Sequence, residues 1–82
     1  MMAGPDTILI MWTIYDRPSD YPEWFVARKF EITGQGPVTG DSVIWGKTLT
    51  EARYMIYLVD PNASACLPRY DNDHPNVVET WL

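Results

Sequence analysis

The run Thr7-Ile8-Leu9-Ile10-Met11-Trp12-Thr13-Ile14-Tyr15 constrains this chain more than any other stretch. It is built from β-branched and aromatic residues, which favour an extended backbone. In a strand, alternate side chains face opposite ways. Ile8, Ile10, Trp12 and Ile14 therefore share one face, and Leu9, Met11 and Tyr15 share the other. With both faces apolar, the spacing predicts an interior strand rather than an edge. The run is too short to cross a bilayer, which takes about 20 apolar residues. No basic segment precedes it and no small-residue cleavage site follows, so no secretory leader is expected.

The rest of the chain supplies partners for that strand. Residues 16–23 hold two prolines and three acids and are expected to form a loop. Residues 24–32 alternate as a second strand, with Trp24, Val26, Arg28, Phe30 and Ile32 on one face. Phe25, Ala27, Lys29 and Glu31 lie on the other, read as half-solvated. Residues 33–40 contain three glycines and a proline and are expected to be a flexible turn, followed by a short strand over 41–46.

Thr48-Leu49-Thr50-Glu51 has the spacing of a capping box. Behind it Leu49, Ala52, Ile56 and Val59 recur at helical spacing and are expected to face the sheet, with Met55 widening the stripe. Asp60-Pro61-Asn62 stops the helix, residues 60–76 read as irregular, and 76–82 form a final strand.

These elements give a single α+β domain over 1–82, with 1–6 frayed. The order is β-β-β-α-β: a three- to four-stranded antiparallel sheet with one helix on one face. At 82 residues stability is a narrow balance, which four Trp, five Tyr and two Phe offset with large apolar area.

Eleven acids against six bases give a net charge of −5, which disfavours direct binding to nucleic-acid phosphates and favours solubility. The single cysteine, Cys66, rules out an internal disulfide and fits a reducing, cytoplasmic compartment.

Sites for chemistry are weak. Asp71-Asn72-Asp73-His74 offers carboxylates and an imidazole but matches no metal-loop spacing. Cys66 with His74 as base lacks the flanks of a nucleophile motif. Gly34-Gln35-Gly36-Pro37-Val38-Thr39-Gly40 lacks the Lys-Ser/Thr ending of a phosphate loop. The Trp residues read as core rather than as a base-stacking platform. No catalytic residue, metal or cofactor is expected. Asp16, Asp20 and Glu23 share one loop with Tyr21 and Trp24, a mixture suited to a protein contact, because Tyr and Trp are favoured anchors. Asp16, Asp20, Tyr21 and Glu23, with Asp41, Asp71 and Asp73, form the expected partner-binding set.

Residues 13–22, followed by Phe25-Val26-Ala27-Arg28, resemble a family of small uncharacterised proteins from bacteria and their phages. Residues 48–53 and Val78-Glu79-Thr80-Trp81 carry the same likeness. The resemblance implies no reaction and no functional residues. It implies only a kind of role, that of binding and blocking a host protein. The expected function is thus a non-catalytic acidic protein-binding module, of the kind of a phage inhibitor such as an anti-CRISPR, acting on a basic nucleic-acid-binding protein. The alternatives are a homodimeric structural module and a small metal- or thiol-dependent enzyme.

Overall fold

The computed structural model describes residues 7–69 and 74–82; the side chains of residues 7 and 39–41 lie outside that description. So does the frayed start expected for 1–6. The described elements are β1 (Thr7–Asp16), β2 (Phe25–Thr33), β3 (Gly36–Gly46), α1 (Leu49–Val59), β4 (Cys66–Pro68) and β5 (Val77–Trp81). The strands form one antiparallel sheet in the order β3-β2-β1-β5-β4. The α+β class, the antiparallel pairing and the single helix agree with the sequence. Among the described residues the sheet has five strands, however, not three or four. β1 lies inside that sheet, as its run of apolar residues predicts, with β2 and β5 paired to its two edges.

The added strand is β4, three residues inside the segment expected to be irregular. Cys66, Leu67 and Pro68 pair with Trp81, Thr80 and Glu79, and Ala65 and Leu82 exchange both backbone hydrogen bonds at 2.9 Å. Three residues are too few for a period-2 signal. The proline stays compatible because β4 is an edge.

The glycine-rich stretch is also more ordered than expected. Its turn shrinks to Gly34-Gln35, and Thr33 already pairs with Gly36. The Gln35 N–H donates to Thr33 Oγ1 at 3.1 Å, and that hydroxyl donates to the Gly36 carbonyl at 2.8 Å. Gly36 sits at φ +110°, a conformation that L side chains rarely adopt.

Register assigns the two faces. Ile14 pairs with Ala27 and Trp12 with Lys29, so Ala27 and Lys29 lie on the helix side. Both are buried. This reverses the half-solvated reading of that face: Ala27 is small enough to admit the helix, and Lys29 is covered despite its charge. The core is Trp12, Ile14, Ala27, Ala52 and Ile56, with Phe25, Ile44 and Leu49 packed around it.

α1 begins where the capping spacing placed it. Thr48 Oγ1 accepts the Glu51 N–H at 3.1 Å, which satisfies one of the orphan donors of the first turn. Ala52 and Ile56 are buried against the sheet as expected, but Val59 is 53% exposed. Eleven helical residues span roughly 16 Å, whereas the ten of β1 reach roughly 33 Å. The helix ends before the sheet does, and Val59 lies at that open end.

Gly46 lets the helix approach. A Cβ there would lie 2.8 Å from the Ala52 nitrogen and 3.0 Å from the Glu51 side chain. Gly46→Ala is therefore expected to cost about 1–3 kcal/mol, read as a lowered urea midpoint with an unchanged slope. An unchanged midpoint would show that the helix can shift freely over β3.

Candidate functional site

The acidic loop between β1 and β2 folds back on itself. The Arg17 N–H donates to the Trp24 carbonyl at 3.0 Å and the Tyr21 N–H to the Pro18 carbonyl at 2.9 Å. Tyr21 stacks on Trp45 of β3, with ring centroids 5.7 Å apart. Asp16 is paired with Arg17 at 2.7 Å, and Asp20 with Arg28. Glu23 is exposed. Asp16, Asp20, Tyr21 and Glu23 thus share one end of the sheet, but two of the three carboxylates already hold a guanidinium. Asp41 falls within β3, between the Arg28–Val43 and Phe30–Thr39 pairs, away from that end; its side chain is not among those described. Asp71 and Asp73, and with them most of the 71–74 cluster, lie outside the described residues. Among the described residues no three His, Cys, Asp or Glu gather to hold a metal ion, and no helix is long and apolar enough to cross a membrane.

Cys66 and His74 lie on opposite faces of the sheet. Cys66 pairs with Trp81, which register places on the helix side with Trp12. His74 meets Tyr15 edge-on, with centroids 6.5 Å apart, on the other side. Desolvation and the neighbouring Glu79 carboxylate both push the Cys66 thiol up from its ordinary value of 9.0. This keeps it protonated, whereas the thiolate is the nucleophile.

Glu79 is instead a structural anchor. It is buried and accepts a two-point contact from Arg53 of α1, Nε at 2.8 Å and Nη2 at 2.7 Å. The Trp81 indole N–H also donates to it. The Arg53 hydrogen bonds hold its carboxyl below the ordinary 4.5, against the opposing effect of burial. A depressed carboxyl stabilises the fold fully above the unfolded value, and that stability is lost as pH falls through the folded one. The chain is therefore expected to weaken below about pH 4.5, and Glu79→Gln to be about 1–2 kcal/mol less stable at neutral pH with a flatter acid limb. Denaturation midpoints across this range check it; parallel acid limbs would show that Glu79 is not the linked group.

Concave regions lie on both faces of the sheet. A cleft of about 600 Å³ opens where the helix stops short, lined by Ile10, Trp12, Lys29, Ile44, Asp60 and Asn62. Its charged groups are engaged within the protein: Lys29 lies 4.0 Å from Glu31, and Asp60 accepts the Trp12 indole N–H at 3.3 Å. A shallower groove of about 330 Å³ crosses the opposite face, between Met11, Phe30, Leu67 and His74. The His74 Nδ1 accepts the Asn76 N–H at 3.2 Å.

Among the described residues, exposed bulky side chains gather on the outer side of α1. Tyr54, Tyr57 and Leu58 are 59%, 61% and 54% exposed. Their spacing of three and four residues puts them on one stripe, turned away from Ala52 and Ile56. Leu58 lies seven residues after Glu51, so the exposed Glu51 continues the same line. The sequence held this signal: positions 54, 57 and 58 are apolar out of phase with 49, 52 and 56. A reading that follows only the core stripe passes over it.

No family model, no curated protein and no solved structure matches this chain.

Proposed function

We propose that this chain is a non-catalytic protein-binding module that docks through the outer face of α1. The observation that carries this reading is the stripe of Tyr54, Tyr57 and Leu58, bulky and open to solvent in a chain of only 82 residues. Single exposed apolar residues are ordinary, but adjoining ones mark contact surfaces. Tyrosine is among the residue types that dominate binding energy. The protonated Cys66 thiol and its separation from His74 support a role without covalent chemistry.

The acidic balance supports a basic partner. In its most specific form the module is a phage-type inhibitor, anti-CRISPR-like, that covers a host nucleic-acid-binding protein in the cytoplasm. This form rests on the family resemblance of residues 13–22 and 48–53 together with the net charge. The Asp16, Asp20 and Glu23 loop then adds long-range attraction rather than anchoring contacts, since Asp16 and Asp20 are already paired.

Capture of partners from the source cell on immobilised protein tests the reading, with wild type compared against Tyr57→Ala/Leu58→Asp and against Asp20→Lys/Glu23→Lys. A partner lost only with the helix variant is the expected result. A partner lost only with the loop variant moves the interface to the other end of the sheet.

A further inference from the structure

We infer that the surface received by α1 is an apolar groove rimmed by arginine or lysine, rather than a second copy of this chain. The inference rests on the docking face proposed above and specifies what fills it.

Arg53 stands four residues before Tyr57, partly exposed beside the stripe, but its charge is matched by Glu79, and what remains is negative. Glu51 is exposed, in line with Tyr54 and Leu58. The basic side chains nearest in sequence are committed elsewhere. Arg53 is held at two points by Glu79, and the Lys47 ammonium lies 5.8 Å from the centre of the Trp24 ring. No basic residue occupies the last turn of the helix. The face thus combines a carboxylate with two phenol rings, whose negative π-surfaces attract guanidinium and ammonium groups. An arginine that pairs with Glu51 can lay its stem along Tyr54, while Tyr57 and Leu58 enter the apolar part of the groove. This is the helix-in-groove mode of recognition, read from anchors at three- and four-residue spacing.

A second copy fits poorly. Packing two stripes parallel sets Glu51 against Glu51. Packing them antiparallel sets each Glu51 over the partner's apolar end, where an unpaired carboxylate is costly. Each chain also carries a net charge of −5, which opposes their approach.

The test uses two amphipathic helical peptides of equal length, one with leucine and arginine, the other with leucine and glutamate. Each is titrated into isotopically labelled protein and followed by amide NMR at low and at high salt. The Leu/Arg peptide is expected to shift the amides of Glu51, Tyr54, Tyr57 and Leu58, and the Leu/Glu peptide to leave them in place. Glu51→Lys is expected to weaken the Leu/Arg peptide several-fold, the size of reversing one exposed ion pair, and added salt to shrink that difference. Tyr57→Ala is expected to abolish the shifts. Equal response to both peptides, or indifference to Glu51→Lys while Tyr57→Ala still abolishes binding, overturns the basic rim but leaves the docking face standing. Shifts confined to the β1–β2 loop overturn both. Concentration-dependent shifts of the same four amides without peptide overturn the exclusion of a second copy.

Discussion

Trp12→Ala is expected to lower the stability of the fold by about 3–5 kcal/mol, a large share of the whole. Trp12 is buried on the central strand, between Lys29 of β2 and Trp81 of β5 on the helix side. It belongs to the core cluster with Ile14, Ala27, Ala52 and Ile56. Removing a buried Trp costs about 3–5 kcal/mol. A domain of this length holds only about 4–12 kcal/mol in total, so between about a quarter and all of the margin goes. Trp12→Phe keeps much of the volume but withdraws the indole N–H from Asp60, and is expected to cost about 1–2 kcal/mol. Ile8→Ala, on the same strand but 73% exposed, is expected to change stability by less than about 0.5 kcal/mol. Urea denaturation followed by fluorescence and far-ultraviolet circular dichroism gives all three values. A Trp12→Ala stability within about 1 kcal/mol of the wild type would mean that the core does not depend on Trp12.

The second large effect falls on binding and spares the fold. Tyr57→Ala/Leu58→Asp removes two anchors that project from α1 and lie outside the core cluster. Their loss is expected to move the unfolding midpoint by less than the equivalent of about 1 kcal/mol. If both are hot-spot residues, each worth about 2 kcal/mol or more at an interface, the pair weakens partner binding by at least about a hundredfold. Titration calorimetry with the captured partner, beside the denaturation curve, separates the two effects. Equal affinity of variant and wild type would remove α1 from the interface.

Most of the fold is legible in the sequence because its signals are local. The apolar period of β1 sets its interior position. Thr48 and Glu51 set the helix start, marked in the structure by the 3.1 Å bond between Thr48 Oγ1 and the Glu51 N–H. What escapes depends on residues distant in sequence. β4 exists because Cys66–Pro68 meets the end of β5, and three residues alone carry no periodicity. Lys29 is buried because register sets it beside Trp12 on the helix side, and a charge in a sequence reads as solvent. The glycine-rich stretch reads as a loop because composition there outweighs pairing, yet only Gly34-Gln35 forms the turn.

The candidate site is less legible for a different reason. Six acids and Tyr21 stand out as the contact surface because charge is visible in a sequence and pairing is not. Asp16 and Asp20 turn out to be held by Arg17 and Arg28. Tyr54, Tyr57 and Leu58 are masked by the expectation that apolar helix residues face inward. An 11-residue helix apolar on nearly all sides can bury only the side that meets the sheet.

Photo-crosslinking in the source cell addresses the docking face directly and works on a partner of any identity. A benzophenone amino acid replaces Tyr57 in one version of the protein and Glu23 in another, and both are irradiated in living cells. Docking through α1 predicts a discrete heavier adduct from position 57, containing a different protein, and none from position 23. No adduct from position 57, or one that consists only of two copies of this chain, would contradict it.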